Sequence, residues 1–248
     1  MKTNIIFNKI NNLRKTSIAS FQTNYFMTPI EDDCATFKNN EAIVFLSKEK
    51  HFYKLFYAFI NPNSFEQLLK ELPNKEIYLE IISKTPLSNE LKFVLEKYFK
   101  YKTTYSKLYK KLEVDGIKAP LKSKIDTDLI FEKLYSTFNV YFEHLMDKNE
   151  LINLAKNNRV ITVYEKDEMK SFLIYKTQGR KAYLNQIANY GSKENLIELW
   201  TLFYQALNNN SIKYLDLWYD TQNKKAENMY DIEQFQPLNQ FNFCYEKV

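Results

Sequence analysis

The chain has 248 residues, of which 45% are hydrophobic, 16% aromatic and 26% charged, enough apolar material for one large core or two of about 120 residues each, and too much for a disordered chain. Its net charge of +5 comes from 35 basic against 30 acidic residues, and only Arg14, Arg159 and Arg180 are arginines. Lysine offers a point charge where bidentate recognition of phosphates and bases prefers arginine, so a dedicated nucleic-acid binder is disfavoured and a solvated lysine–glutamate surface expected.

The first half reads as strands over residues 42–46 and 52–60, a helix over 64–72, a strand over 77–83, a helix over 87–99 and a strand over 104–112. A short link, Asn61 to Ser64 with Pro62, precedes the first of these helices. The stretch 114–121 holds Gly116, one of only three glycines, and is the natural linker.

In the second half, Leu129, Ile130, Leu134, Phe138, Tyr141 and Phe142 recur at helical spacing across 126–144, and a second helix is expected over 148–156. Strands follow over 160–164, 171–175 and 182–188, joined by tight turns into an antiparallel meander. Leu196, Leu199, Trp200, Phe203 and Leu207 then mark one face of a helix that stops at Asn208, Asn209 and Asn210. A strand over 214–219, a helix over 224–232 with cap residues at 220–223, and a strand over 241–247 close the order. A meander feeding a strand–helix–strand crossover implies a mixed sheet whose crossover strands are parallel. The first half has about one strand fewer.

The two halves are related. Displacing the chain by 136 residues sets Tyr78–Ile82 on Tyr214–Trp218, Thr85 on Thr221, Phe99 on Phe235 and Tyr109 on Tyr245. In that comparison Asn223 and Tyr230, the polar residues of the last helix that could do chemistry, face Leu87 and Val94. The earlier half thus keeps the pattern without the site.

Other classes find little support. No stretch approaches the roughly 20 apolar residues a membrane span needs, and the first residues lack an apolar signal core, so a cytoplasmic protein with no membrane role is expected. Cys34 and Cys244 are isolated, and His51 and His144 are the only histidines, so neither a disulfide scaffold nor a metal site is expected.

On these residues the second half resembles the GNAT superfamily of acyl-CoA-dependent N-acetyltransferases, and the whole chain resembles its tandem members with a degenerate N-terminal half. The most specific match is the family pattern Asn-x-x-Ala-x-x-x-Tyr-x-x-x-Gly-Phe, met by Asn223, Ala226, Tyr230 and Phe235, with Gln234 in place of the glycine. The resemblance implies an α/β fold of the α+β, mixed-sheet kind: two GNAT-like units, each a mixed, mostly antiparallel sheet flanked by helices. It divides the chain into a degenerate unit over 1–115, a linker over 116–125 and an acyltransferase unit over 126–248.

The resemblance also implies roles. Strands 182–188 and 213–219 would splay so that the pantetheine arm pairs with the first of them near Ile187 and Ala188. Gly191, Ser192, Lys193 and Asn195 would present the following helix N-terminus to the pyrophosphate of acetyl-CoA or another acyl-CoA. The family loop Gln/Arg-x-x-Gly-x-Gly/Ala is here Asn189 to Asn195, with one glycine and with Glu194 near the phosphate position. Asn223 would contact the cofactor arm, Tyr230 would protonate the leaving thiolate, and Asp216, Tyr219 and Asp220 are the open choices for the base.

The leading expectation is an N-acyltransferase that moves an acetyl or other acyl group from acyl-CoA to a primary amine by direct attack, with its site in the C-terminal half and no metal. The acceptor is a small molecule or a peptide, and a homodimer is open. The alternatives are a catalytically inactive GNAT-like binding or scaffold protein and, third, an aminoacyl-tRNA-dependent transferase, for which no long helical insertion is visible.

Overall fold

The computed structural model describes residues 2–18, 20–24, 34–49, 51–113 and 124–248; all but the last two residues of the expected linker lie outside them. The first part of the chain forms α1 (Lys2–Thr16), β1 (Gln22–Thr23), β2 (Ala35–Lys38), β3 (Ala42–Lys48), β4 (Tyr53–Phe59), α2 (Pro62–Leu69), β5 (Ile77–Ser83), α3 (Asn89–Glu96) and β6 (Phe99–Lys111). The rest forms α4 (Thr127–Thr137), α5 (Lys148–Lys156), β7 (Val160–Glu165), β8 (Glu168–Gln178), β9 (Lys181–Asn189), α6 (Lys193–Asn209), β10 (Tyr214–Asp220), α7 (Lys224–Ile232) and β11 (Gln236–Lys247). At the 136-residue displacement, β5, α3 and β6 fall on β10, α7 and β11 to within one or two residues.

Two compact units result, and they interleave along the chain instead of following one another. The first comprises Met1–Ser106, Asp220–Gln222 and Asn239–Val248; the second comprises Lys107–Tyr219 and Asn223–Leu238. Asn239, where β11 passes from one unit to the other, has φ 49, a left-handed conformation that asparagine tolerates better than most residues.

In the first unit the strand order is β2–β3–β4–β5–β11–β6, with β1 on β4. β1–β4, β2–β3, β3–β4 and β5–β11 pair antiparallel, and β4–β5 pair parallel. Along β3, Ile43 and Phe45 pack with Ile6, Ile10 and Leu13 of α1, while Ala42, Val44 and Leu46 pack with Phe65, Leu68 and Leu69 of α2 and Leu91, Val94 and Leu95 of α3. Covered on both faces, β3 reads as an unbroken apolar run. The α2 helix begins where Asn61 accepts from the Asn63 N–H and Pro62 needs no partner, as the first turn of a helix favours.

The helix α1 and the strands β1 and β2 add to what the sequence suggests. The apolar residues of α1 are few and set among asparagines and lysines, and β2 supplies the strand that the first half seemed to lack. The expected helix 87–99 stops at Glu96, and the following strand begins at Phe99 instead of 104.

The parallel contact of β4 and β5 covers only Tyr53–Leu55 against Ile77–Leu79. Beyond it the opening is filled by the chain itself. The Asn24 amide donates to Leu55 O and Glu80 O at 2.9 Å each and accepts from the Tyr57 N–H at 2.9 Å. Just before it, Gln22 and Thr23 pair with Phe59 and Ala58 as β1. Backbone donors and acceptors of a diverging strand are thereby satisfied from within.

The second unit has the order β6–β10–β9–β8–β7, the β6 part being Lys107–Lys111. β7–β8 and β8–β9 are antiparallel and β9–β10 parallel, a mixed sheet as expected. Lys166 and Asp167, both at positive φ (50 and 65), make the two-residue β7–β8 turn, a backbone whose twist suits a hairpin. α6 and α7 cover one face, with Trp200, Phe203, Leu207 and Tyr230 packed on Leu173, Leu184, Leu215 and Leu217. α4 and α5 cover the other, with Ile130, Leu134 and Leu151 on Phe172 and Ile174. The expected long helix over 126–144 ends at Thr137: Phe138 is extended, and Asn139 Oδ1 accepts from the Tyr141 N–H at 2.9 Å, an Asx turn that competes with helix.

Tyr245 of β11 lies opposite Leu79 of β5, is 4% exposed and meets Tyr101 edge-on at 5.7 Å. Tyr245→Ala is therefore expected to cost about 3–5 kcal/mol. In hydrogen exchange the loss of protection should appear in Ile77–Ser83 before Tyr214–Asp220, although Tyr245 follows the latter closely in sequence. Protection lost first in β10 would contradict the assignment of β11 to the first unit.

Candidate functional site

The second unit also has a parallel pair that diverges, and here the cause is visible. β9 and β10 are paired only over Lys181–Leu184 and Tyr214–Leu217. On its other side, β9 pairs with β8 through a register step: Ile174 faces Gln186 and Tyr175 faces Leu184, leaving Asn185 unpaired and exposed. One extra residue is a β-bulge, which bends the strand and raises its twist. It also exchanges faces, because side chains alternate. Ala182 and Leu184 pack toward α6 and α7, whereas Ala188 packs toward α4 and α5. Ile187 and Ala188, expected to receive the pantetheine arm, lie in this stretch beyond the last β9–β10 pair.

The loop after β9 is tied down internally. Tyr190 and Gly191 both donate their N–H to Lys170 O, at 2.7 and 3.1 Å. Ser192 and Asn195 cap α6 reciprocally: Asn195 Oδ1 accepts from the Ser192 N–H at 2.8 Å, and Ser192 Oγ from the Asn195 N–H at 3.5 Å. A side chain at Gly191 would run into Asn195 Oδ1 and lie 2.9 Å from Lys170 Cβ, so this glycine is required by the cap. Glu194 is acidified by hydrogen bonding to Ser192 and to backbone, and stands as a charge in the first turn. Lys193, the first residue of α6, is exposed. Three of the N–H groups available to a phosphate are thus already taken.

On α7, Asn223 is the N-cap, its Oδ1 accepting from the Ala226 N–H at 3.1 Å. The C-terminal end is fixed by Glu233, which accepts from Tyr204 of α6 at 2.6 Å and pairs with Lys110 of β6 at 3.4 Å. Gln234 follows at φ 58 and Phe235 N–H reaches Tyr230 O at 3.1 Å. The left-handed residue that ends this helix thus stands where the family pattern has glycine.

This clamp sets Tyr230, which is 5% exposed, among Trp200, Tyr219 and Phe235 with ring centroids 6.4, 5.8 and 5.5 Å away. Burial first, and then the Glu143 carboxylate, push its phenol well above the ordinary range. Tyr219 is also raised, by burial and then by Glu227 and Asp231. Both hydroxyls hold their protons at neutral pH.

Asp216 points to the opposite face of β10. It is buried and paired with Lys107 of β6 and Lys181 of β9, each at 3.2 Å. Its counterpart Glu80 in the first unit is bonded by Asn242 of β11 and lies 3.8 Å from Lys54 of β4. Lys54 faces Tyr78 as Lys181 faces Tyr214, so both parallel pairs carry the same lysine–carboxylate brace. Asp220 accepts from Gln222 N–H at 2.9 Å and from Thr103. The structure therefore brings Tyr219 and Tyr230 together and places Asp216 in a separate, occupied network. Glu143, in the loop after α4, had no sequence signal beyond being a carboxylate near His144.

Among the described residues, no group of three or more His, Cys, Asp or Glu could hold a metal ion, and no helix is long and apolar enough to cross a membrane. No protein-family model matches the sequence, and no curated protein matches it. Solved structures do. A GCN5-related N-acetyltransferase from Sphaerobacter thermophilus superposes with TM-score 0.56 at 10% identity, over 84% of this chain and 76% of the other. An acetyltransferase of the GNAT family from Colwellia psychrerythraea gives 0.52 at 8% identity, over 97% and 96%. A tandem GNAT protein from the clavulanic acid biosynthesis pathway gives 0.50 at 7% identity, over 84% and 78%. The fold is that of the GNAT superfamily, in two units.

Two substitutions check these roles. Asp216→Asn should lower stability to urea by about 1.5–3 kcal/mol, because two lysines lose the charge between them; unchanged stability would argue against the brace. Gln234→Gly should raise stability by about 0.5–1 kcal/mol, the relief of left-handed strain outweighing the greater freedom of glycine in the unfolded chain. A lower melting temperature would count against the helix-end assignment.

Proposed function

We propose that the second unit is an N-acyltransferase, carrying an acetyl or other acyl group from acyl-CoA to a primary amine by direct attack. The observation that carries this reading is the bulged, diverging β9 edge beyond Leu184 with the protonated phenol of Tyr230 on the helix that follows β10. The first unit, whose corresponding opening is filled by Asn24 and β1, is assigned no transfer step.

The fit of the co-substrate is uneven along its length. The strand edge over Asn185–Asn189 suits the amide-rich pantetheine arm, which can pair with it as an added strand. At the diphosphate end, Ser192 and Lys193 supply a hydroxyl and a charge, while the N–H groups of Gly191, Ser192 and Asn195 are committed and Glu194 repels an anion. Weak binding follows, with the arm contributing more than the phosphates. Tyr230 would give its proton to the leaving sulfur, and the ring packing around it would hold the hydroxyl in place and keep water away.

The committed loop also supports a second reading, a GNAT shell that binds a partner and has lost its co-substrate. Titration with acetyl-CoA up to millimolar concentration separates the two. Binding should appear as heat and as about 2.7 kcal/mol of added stability at 100 times the dissociation constant; neither effect would leave the second reading standing. Tyr230→Phe should bind acetyl-CoA as well as the parent and lose about 10²–10⁴-fold in turnover. Because its phenol is raised, turnover should not fall as pH climbs to about 10, where an ordinary tyrosine begins to ionise. A loss of turnover well below that pH would remove Tyr230 as the proton donor.

A further inference from the structure

The charges of the second unit are segregated. No Asp or Glu occurs in residues 107–112, 169–193 or 199–215, the stretches that supply its part of β6, most of β8, all of β9 and the approach to β10. Side chains alternate along a strand, so those opposite the α6–α7 layer share one face. On β6 these are Lys107, Tyr109 and Lys111, on β9 Lys181 and Tyr183, and on β10 Tyr214, Asp216 and Trp218. The apolar cluster beneath α4 and α5 takes in β7, β8 and Ala188 and stops there. Tyr214 and Trp218 are 42% and 37% exposed, so the aromatic face beyond that cluster is open to solvent.

The carboxylate on this face is already engaged. Asp216 is buried between Lys107 and Lys181 at 3.2 Å each. The same lysines stand over rings, Lys107 at 5.8 Å from the centroid of Trp218 and Lys181 at 5.8 Å from that of Tyr183. More cations gather at the end of the strands away from the divergence. Arg180 O accepts from the N–H groups of Lys213 and Tyr214 at 2.8 and 3.2 Å, and Lys213 O from that of Leu112 at 2.9 Å. Lys111, Arg180 and Lys213 thereby share one rim, all exposed, and none has an ion-pair partner among the described residues. Face and rim together set these five cations against Asp216 and, past the end of β6, Glu113. The surplus charge is positive.

We propose that this face binds single-stranded nucleic acid without regard to sequence, with phosphates on Lys111, Arg180 and Lys213 and bases on Tyr214 and Trp218. The two rings lie four residues apart on β10, about 13 Å at about 3.3 Å per residue, with Tyr109 and Tyr183 on the strands to either side. A basic track beside separated rings suits a flexible strand whose bases are unstacked, and every base has a face to lay on a ring. The scarcity of arginine weighs against reading base edges, whereas holding a phosphate backbone needs only point charges. A flat sheet face has no helix or ribbon to enter the groove of a duplex, which favours single strands. An acidic peptide would engage the lysines and leave the rings idle. This function is separate from acyl transfer, since it uses neither Tyr230 nor the β9 edge beyond Leu184.

The test is fluorescence anisotropy of labelled oligouridylate and oligothymidylate, each of about 12 nucleotides, with the full chain and no acyl-CoA. Its outcome is therefore independent of the acyl-transfer reading. Both oligomers should bind, or the oligouridylate alone where the ribose 2′-hydroxyl contributes. Between about 50 and 200 mM salt, log K should fall by about 2 per log unit of salt, as three neutralised phosphates of a single strand require. Tyr214→Ala should weaken binding about 5–150-fold at an unchanged melting temperature, because the ring is exposed. Lys111→Gln with Arg180→Gln and Lys213→Gln should weaken binding and flatten the salt dependence. Lys84→Gln with Lys92→Gln and Lys225→Gln removes the same net charge from exposed positions elsewhere and should leave binding nearly unchanged. Absence of binding to both oligomers at about 50 mM salt, an equal loss in the two triple variants, an unaltered affinity in Tyr214→Ala, or displacement by polyglutamate as effective as by unlabelled oligomer would overturn the proposal.

Discussion

The geometry of the candidate site in the second unit depends on a single inserted residue. Asn185 has no partner on β8, and from that point β9 twists away from β10 and presents its side chains to the opposite layer. Without the bulge, Gln186 and Ala188 would continue the row of Ala182 and Leu184 into the α6–α7 core. An unbroken parallel pair would then close the sheet. The strand edge beyond Leu184 is open toward β10 because one backbone register is broken.

The first unit shows the same architecture with its opening filled. It keeps the short parallel contact and the lysine–carboxylate brace at Lys54 and Glu80. At the divergence, however, Asn24 supplies both the donors and the acceptor that the separating strands require. Diverging strands cannot leave backbone groups buried and unsatisfied, so the opening must hold something. One unit fills it with its own side chain; in the other, Gln186 Oε1 has no partner among the described residues.

Much of this was legible in the residues. A cap within 220–223, the bounds of α7 and the parallel crossover followed from local spacing, and the displacement of 136 residues set β5, α3 and β6 against β10, α7 and β11. The site was less so. A bulge leaves no signature in a strand such as Ala182–Ala188, where either alternation can be satisfied. Phe138, Tyr141 and Phe142 continued a helical spacing that the Asn139 turn interrupts, which hid the loop carrying Glu143. Gln234 stands where the pattern has glycine, and the backbone there keeps the left-handed turn. Asp216 drew attention as a carboxylate on the right strand; its two lysine partners come from β6 and β9 and could not be foreseen from spacing.

The passage of β11 back into the first unit has a consequence for biosynthesis. β4 flanks β5 on one side, but β5 acquires its second neighbour only from residues more than 150 positions later in the chain, so the N-terminal unit cannot close its sheet while the ribosome is still working through the middle of the message. Contacts this distant are slow to form, and until they do, β5 presents an unpaired edge of the kind that invites aggregation. The two units therefore mature together, the earlier-made one waiting on the later, and a ribosome that stalls late would release a chain in which both are unfinished.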